Sequence, residues 1–159
     1  MKLYNQVYGK YSLGTGSWLS DELFELGKVL TSFYDLLPYK KKNTDVPSWV
    51  DRWKNLINMD IGLILGLKQS EKIVGGIGLV FAPALEDGVG TCTEAFWYVD
   101  ENNRGGGIKL LKKAEAYAKA RGCARMMMIH LKHSMPEKLK SLYERMGYSE
   151  VETSYMKEF

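Results

Sequence analysis

One stretch decides the fold: Trp97-Tyr98-Val99-Asp100-Glu101-Asn102-Asn103-Arg104-Gly105-Gly106-Gly107-Ile108-Lys109-Leu110-Leu111. Aromatic and β-branched residues come first, three glycines follow, and apolar residues at helical spacing come last, which is typical of a strand, a loop and a helix. Glycines let a ligand approach the backbone closely, and the first amides of a helix bind anions. With Arg104 and Lys109 flanking the turn, the stretch predicts a polyphosphate cofactor. The alternative is a structural turn whose glycines only let the helix start.

Two commoner phosphate-binding motifs do not fit this stretch. The P-loop ends in Gly-Lys-Ser/Thr, whereas Gly107 is followed by Ile108 and Lys109. The dinucleotide-binding fingerprint requires a third glycine at the position that Leu110 occupies. The remaining pattern is Arg-x-x-Gly-x-Lys after a strand that ends in Trp-Tyr-Val.

This pattern resembles the acetyl-CoA loop of the GNAT acetyltransferase superfamily, which reads Gln/Arg-x-x-Gly-x-Gly/Ala and follows a strand valine by five residues. Val99 and Arg104 match that offset, whereas Lys109 stands where the family has Gly or Ala. The later family signature, Leu-Tyr-Glu-Lys-x-Gly-Phe, is mirrored by Leu-Tyr-Glu-Arg-Met-Gly-Tyr at residues 142–148. The resemblance therefore covers residues 60–159 with two motifs in the family order.

The resemblance implies a fold, an activity and a co-substrate. The fold would be α/β (α+β): a single three-layer domain over residues 1–159, with a mixed, mostly antiparallel sheet flanked by helices and splayed at the acetyl-CoA-binding strand. The activity would be an N-acetyltransferase that moves the acetyl group of acetyl-CoA to a primary amine by direct attack on the thioester. A non-catalytic acyl-CoA-binding or protein-interaction module of the same fold is the alternative.

The resemblance also implies which residues bind acetyl-CoA. Backbone groups of Trp97 and Val99 would hold the pantetheine arm in strand-like fashion. The pyrophosphate would be held by the loop residues Arg104, Gly105, Gly106, Gly107, Ile108 and Lys109.

Two side chains are candidates for the chemistry. An amine with a pKa near ~10.4 arrives protonated at pH 7 and needs a base. Glu94 is either that base or an outward-facing charge on an alternating strand. A β-bulge expected from the resemblance decides between the two roles, because a one-residue shift in the strand moves the Glu94 side chain to the other face of the sheet. Tyr143 matches the family tyrosine that donates a proton to the departing CoA thiolate. Its alternative role is a ring packed in the core.

Composition bounds the remaining possibilities. The chain has 159 residues, and 22 basic against 19 acidic residues give a formal charge of +3, which is too even to favour nucleic acid as a ligand. The expected partner is an amine-bearing acceptor, either a small molecule or a protein, and both monomer and homodimer stay open.

Cys92 and Cys123 lack metal-ligand spacing, so no metal site is predicted. Short apolar runs and the lack of a leader pattern predict a cytoplasmic protein without membrane segments.

The remaining patterns outline the secondary structure. They predict a short strand within residues 1–17, a hairpin at 61–68 and 73–81, strands at 91–99 and 125–131, and one or two strands over 148–159. Helices are predicted at about 20–34, 47–58, 107–121 and 134–146, the first capped by Ser17 or Ser20 and the last by a capping box from Ser134 to Glu137. His130 and His133 are interpreted as one core and one surface histidine, and Lys40 to Lys42 as a solvated loop.

Overall fold

The computed structural model describes residues 3–8, 11–15, 20–40 and 45–159. In chain order the elements are β1 (Leu3–Tyr8), β2 (Tyr11–Thr15), α1 (Ser20–Asp35), α2 (Val46–Asn58), β3 (Gly62–Gln69), β4 (Lys72–Pro83), β5 (Gly90–Val99), a 3-10 helix (Glu101–Gly106), α3 (Gly107–Ala120), β6 (Arg125–Met127) and α4 (Pro136–Arg145). Ser17, the alternative cap of α1, and Lys41 and Lys42 of the lysine run lie outside the described residues.

The six strands form one mixed sheet in the order of the chain, β1 to β6. Every neighbouring pair from β1 to β5 is antiparallel, and β5 and β6 are parallel. The parallel pairing is short, because only Thr91, Cys92 and Thr93 of β5 have partners in β6. The rest of β5 continues to Val99 without β6 beside it. The prediction of a mostly antiparallel sheet splayed at this strand is therefore confirmed.

Helices cover both faces of the sheet, each through an apolar stripe. On one face α1 and α2 pack against strand residues that include Ile64, Ile73 and Phe96. The buried residues of these two helices are Leu23, Leu26, Leu30, Phe33, Trp49, Val50 and Trp53. On the other face α3 contributes Leu110, Leu111, Ala114 and Ala118, and α4 contributes Tyr143. Two clusters on opposite faces follow from the alternation of side chains along the strands. The predicted three-layer architecture is confirmed.

Most predicted elements of the middle of the chain are observed within one to three residues. Pro47 lies in the first turn of α2, where its fixed φ suits a helix start, and the Asp45 side chain accepts a hydrogen bond from the Ser48 N–H. Gly122 and Gly147 follow the ends of α3 and α4 with φ of 80° and 88°, which favours glycine there. Among the described residues, no helix has the length and apolar character needed to cross a membrane.

Four local predictions were wrong. The first residues form a hairpin, β1 and β2, rather than one strand. β6 ends at Met127 instead of continuing to 131, because the chain beyond that point leaves β5. The capping box at the start of α4 is not formed: Met135 occupies the N-cap at φ 43° with no side-chain hydrogen bond. Residues 149–159 have no regular structure, and all their side chains are exposed.

Candidate active site

A β-bulge in β5 decides which way Glu94 points. Gly78 of β4 pairs with Phe96, whereas the next residue, Leu79, pairs with Glu94, so Ala95 is the extra residue. The bulge shifts the alternation by one position. Phe96 then packs with α1 and α2, while the strand on either side of the bulge sends Cys92 and Val99 to the α3 face. The bulge expected from the resemblance is present.

Glu94 is a buried carboxyl group on the α3 and α4 side of the sheet. Its side chain is 5% exposed, which excludes the outward-facing charge. The Oε2 atom accepts a hydrogen bond of 3.0 Å from the backbone N–H of Ile129, the second residue beyond β6. Burial raises the pKa of Glu94 to about 7, and the hydrogen bond from Ile129 opposes this shift. At neutral pH the carboxyl group is therefore close to half-ionised, the condition that suits a general base.

Tyr143 lies in α4 beside the same segment of chain. Its hydroxyl donates to the carbonyl of Ile129 at 3.2 Å. The ring centroid is 6.2 Å from that of Trp97 and 5.6 Å from that of Tyr148. Burial, and then the charge of Glu94, raise the pKa of Tyr143 above its ordinary value, so the phenol holds its proton at neutral pH. Tyr143 thus belongs to the core and also presents a polar atom beside Glu94, so its two predicted roles do not exclude each other.

The splay leaves one edge of β5 open beside these two side chains. Pairing between β5 and β6 stops at Thr93 and Met127. At the far end of β5 the Asp100 N–H donates to the Val74 carbonyl in β4. Backbone groups of successive strand residues point alternately to opposite sides, so those of Val99 and Trp97 face away from β4, toward the open edge. This edge can form strand-like hydrogen bonds with an extended amide-containing ligand.

The three glycines are helical rather than part of an open loop. Gly105 and Gly106 belong to the 3-10 helix, which begins after Asp100 and passes directly into α3 at Gly107. The Asp100 side chain caps this helix by accepting from the Asn102 N–H at 2.9 Å. The predicted loop before Gly107 is therefore a 3-10 helix, whose turns satisfy backbone groups locally, whereas α3 begins at Gly107 as predicted.

The glycines also differ in what surrounds them. A Cβ on Gly106 would lie 2.3 Å from Cδ2 of the buried Leu67, so this glycine lets the 3-10 helix pack on β3. A Cβ on Gly107 would lie 3.5 Å from the Trp97 ring, an ordinary contact. Gly105 is exposed. Packing therefore requires a glycine at position 106, whereas it does not at position 107.

The cationic side chains of the stretch are at the surface or near it. The Arg104 side chain is 46% exposed and forms a 3.1 Å ion pair with Glu101. Its other terminal nitrogen lies 3.1 Å from the sulfur of Met135, so the guanidinium connects the 3-10 helix to the start of α4. Ile108 is exposed, and Lys109 is partly buried in the first turn of α3.

The other candidates do not join this site. The His130 Nε2 atom lies 2.8 Å from the Pro136 carbonyl, a local contact at the start of α4. His133 is also exposed, so the interpretation of one core and one surface histidine was wrong. Within the parts of the chain that the structure describes, His, Cys, Asp and Glu side chains form no group of three suited to a metal ion.

Sequence reasoning missed two residues at or near the site. Ile129 binds Glu94 and Tyr143 through its backbone, which leaves no mark in the sequence. Asn103 is 7% exposed, and its Oδ1 atom has no hydrogen-bond partner among the described residues. The sequence did not indicate that Asn103 is buried, because asparagine is common in turns, where its side chain hydrogen-bonds the nearby backbone.

Comparison with known proteins agrees with this geometry. A profile of the acetyltransferase (GNAT) family matches residues 29–148. By sequence, no curated protein matches the chain at a significant level. Three solved structures illustrate the similarity of fold. A ribosomal-protein-alanine N-acetyltransferase from Brucella melitensis biovar Abortus 2308 has 18% identity and a TM-score of 0.71, with 94% of this chain and 99% of that chain covered.

The other two structures carry different descriptions. A transcriptional regulator from Bacillus halodurans C-125 has 24% identity and a TM-score of 0.75, with 92% and 99% covered. An aminoglycoside acetyltransferase from an uncultured soil metagenomic sample, in complex with trehalose, has 13% identity and a TM-score of 0.70, with 97% and 98% covered. At these identities the likeness establishes the fold alone.

Proposed function

Because the chain belongs to the acetyltransferase (GNAT) family, we propose that it transfers the acetyl group of acetyl-CoA to a primary amine by direct attack of the amine on the thioester. The observation that carries this proposal is the buried Glu94 carboxyl group, with its pKa raised to about 7, beside the Tyr143 hydroxyl where β5 and β6 separate. Acetyl transfer to an ammonium requires a base that removes its proton and a donor that protonates the departing thiolate. Glu94 and Tyr143 place both groups at one strand edge.

Glu94 is the general base of the proposed reaction. The acceptor arrives as an ammonium, and Glu94 takes one proton from it, directly or through a water molecule. A carboxyl group with a pKa near 7 is ionised often enough to act at neutral pH, and it holds the proton far better than an ordinary glutamate does. Its hydrogen bond to the Ile129 N–H fixes the orientation of the carboxylate.

Tyr143 is the proton donor for the departing thiolate. Its raised pKa keeps the phenol protonated at neutral pH, so that its hydrogen is present when the C–S bond breaks. The packing of its ring against Trp97 and Tyr148 fixes the position of the hydroxyl. In the ground state that hydroxyl donates to Ile129, a bond it exchanges for one to the leaving group.

Acetyl-CoA supplies the activated acetyl group, and the open edge of β5 fits its carrier arm. The outward-facing backbone groups of Trp97 and Val99 can hydrogen-bond the amides of a pantetheine chain as a neighbouring strand would. Arg104 and Lys109 supply positive charge for the pyrophosphate near the first turn of α3. In this arrangement the exposed Gly105 adds no side chain to the surface of the turn, Gly107 is buried in the first turn of α3, and Ile108 lies exposed between the two charged positions.

The acceptor is tested by a panel of amines, with CoA release as the signal. The panel contains a peptide with N-terminal alanine and an aminoglycoside, which the descriptions of two similar structures name, together with a lysine peptide and a polyamine. We expect acetyl-CoA-dependent thiol release with at least one amine and its loss in the Glu94→Gln, Tyr143→Phe double variant. Acetyl-CoA binding should persist in that variant.

The alternative, a non-catalytic acyl-CoA-binding or protein-interaction module, predicts different results. It predicts that acetyl-CoA binding is saturable, that no amine releases thiol, and that the double variant behaves like the wild type. The buried position of Glu94 favours the enzyme, because a buried carboxyl group with one backbone hydrogen bond and no cationic partner among the described residues is costly for a purely structural role.

A further inference from the structure

Asn103 is a buried residue whose side-chain oxygen has no donor in the described part of the chain. The residue is 7% exposed, and its buried Oδ1 atom has no hydrogen-bond partner among those residues. Asn103 and Gly106 are the buried positions of the 3-10 helix, in which residues three apart lie one above the other. A buried acceptor without a donor lowers the stability of the conformation that contains it. In the 3-10 helix a strong acceptor is therefore unused.

The helix that follows lacks the group that Asn103 carries. Gly106 is the N-cap of α3 and, as glycine, has no side-chain oxygen to accept from the first N–H groups of the helix. Asparagine is among the best N-cap residues, because its side-chain oxygen accepts from the N–H two or three positions further along. For an N-cap at Asn103, those two N–H groups belong to Gly105 and Gly106. An unused capping oxygen thus lies three residues before an N-cap residue that has none.

The 3-10 helix is close in conformation to an α-helix. Its last bond runs from the Gly107 N–H to the Arg104 carbonyl, across three residues, where an α-helix would reach back four. Its 6 residues are a long run for this helix type, whose hydrogen bonds have poorer geometry than those of an α-helix. Gly106 has φ of −82° and ψ of −16°, so its ψ differs from the α-helical value by only about 26°. A small rotation therefore separates the two forms.

Taking acetyl-CoA as the co-substrate, as proposed above, we infer that its pyrophosphate converts residues 104–106 to an α-helical turn. In this form α3 begins at Arg104, and Asn103 is its N-cap. The Gly107 N–H then donates to the carbonyl of Asn103 instead of that of Arg104. The preceding turn is kept, because its 2.8 Å bond from the Asn103 N–H to the Asp100 carbonyl joins residues outside the converted segment.

The conversion supplies donors for both acceptors. With α3 starting at Arg104, the N–H groups of Arg104, Gly105 and Gly106 have no carbonyl partner within the helix. Oδ1 of Asn103 accepts from one of the two glycines, and the remaining N–H groups point toward an anion at the helix N-terminus. The 3-10 form instead bonds N–H groups of this turn to its own carbonyls, so the pyrophosphate binds the α-helical form more tightly and shifts the equilibrium toward it. Asn103 is therefore a positioning residue that acts through the backbone of the turn without contacting the ligand.

Acetyl-CoA titration of capping variants tests the role of Asn103. Asn103→Leu keeps the approximate volume of the side chain but removes the capping oxygen, and we expect acetyl-CoA binding to weaken by roughly 3- to 30-fold. Asn103→Ser keeps a good N-cap and should bind within about threefold of the wild type. Asn102→Leu makes the same change at the exposed neighbouring position and is the matched control, with unchanged binding expected.

Thermal unfolding without ligand separates capping from packing. Asn103→Leu also removes the unsatisfied acceptor, so its melting temperature should rise by roughly 2 °C or more while its affinity for acetyl-CoA falls. A residue that served only the fold would show a fall in both quantities. That result, or equal affinity of the wild type and Asn103→Leu, would overturn the role of Asn103 while leaving acetyl-CoA as the co-substrate. A wild type that does not bind acetyl-CoA would overturn the proposed function as well.

NMR of the wild type tests the conversion itself without any variant. Nuclear Overhauser contacts from an Hα proton to the N–H two residues further along are typical of a 3-10 helix, and contacts to the N–H four residues along are typical of an α-helix. On saturation with acetyl-CoA, we expect a contact from Hα of Arg104 to the N–H of Ile108 to appear and the contact from Arg104 to Gly106 to weaken. A complex without the Arg104–Ile108 contact, or equal intensity of this contact in the free protein, would overturn the proposal.

Discussion

Glu94 and Tyr143 are tied to the same residue: the Glu94 carboxylate accepts the N–H of Ile129, and the Tyr143 hydroxyl donates to its C=O. The two side chains come from a strand and a helix on the same side of the splay. Ile129 lies just beyond β6, where the chain leaves the sheet, so its backbone groups are available to side chains rather than to β5. The proposed base and the proposed acid therefore depend on the divergence of two strands.

Replacing Glu94 by Gln should remove the base while keeping the shape of the side chain. For the wild type, kcat/KM should rise with pH up to about 7 and then level off, because only ionised Glu94 accepts a proton. At pH 7 the variant should lose roughly 10²- to 10⁴-fold in turnover, with partial recovery toward the pKa of the acceptor. Initial rates from pH 5.5 to 9.5 measure the pH dependence of the wild type and the loss of turnover in the variant. Identical pH profiles for the two proteins would exclude the role.

Tyr143→Phe should slow turnover without weakening acetyl-CoA binding. The ring keeps its packing, and only the proton donor is lost, so a fall of roughly 10²-fold or more in kcat is expected, with an unchanged dissociation constant for acetyl-CoA. Single-turnover kinetics and a binding titration separate the two quantities. Tyr148→Phe removes a hydroxyl from the adjoining ring and is the matched control, expected to retain turnover. Equal losses in both variants would assign the effect to packing.

Burial of Glu94 should also make stability depend on pH. The folded protein holds the pKa of this carboxyl group at about 7, above its ordinary value of 4.5, so the protonated form is favoured by folding. That contribution is complete below pH 4.5 and is lost as pH rises through 7. Relative to Glu94→Gln, the wild type should lose on the order of 3 kcal/mol in free energy of unfolding over this range.

Urea unfolding at pH 5 and pH 8.5 measures this difference. Glu71→Gln, which removes a carboxylate from the exposed turn between β3 and β4, controls for the change of one charge and should follow the wild type. A constant difference between wild type and Glu94→Gln at the two pH values would contradict the burial argument.

The two glycines at the start of α3 should respond differently to alanine. Gly106→Ala forces a Cβ against the buried Leu67 and should destabilise the fold by about 1–3 kcal/mol. In Gly107→Ala the new Cβ makes only an ordinary contact with the Trp97 ring and lies in a helix, so the change should be neutral or stabilising by up to about 1 kcal/mol. Thermal unfolding measures both. If Gly107 serves the pyrophosphate, its alanine variant should be stable yet bind acetyl-CoA more weakly, and unchanged binding would remove that role.

The sequence predicted the family, the layered fold and the enzyme class correctly, because these depend on periodic patterns and on two motifs in a fixed order. The bulge was expected from the resemblance, and it decides the face on which Glu94 lies. The start of α3 at Gly107 was predicted, but the 3-10 helix before it was not, since Gly106 packs against Leu67, a residue distant in sequence. Ile129 could not be found either, because it acts through backbone groups that every residue has.

The end of the chain shows a second limit of sequence patterns. The prediction of one or two strands over residues 148–159 was wrong, because a strand also needs a partner and none of the described strands pairs with this segment. The capping box before α4 failed for a similar reason. The spacing from Ser134 to Glu137 is correct, yet Met135 takes a left-handed conformation and occupies the N-cap itself.

The central claim is that the edge of β5 and the first turn of α3 bind acetyl-CoA, and calorimetric titration tests it most directly. The wild type, Arg104→Ala, Lys109→Ala and the control Lys112→Ala, which changes an exposed lysine of α3 beyond its first turn, are titrated with acetyl-CoA and with CoA. We expect saturable binding that weakens by roughly tenfold in the first two variants and is unchanged in the control. Absence of binding to either ligand, or equal binding by all four proteins, would contradict the claim and leave the glycine stretch a structural turn.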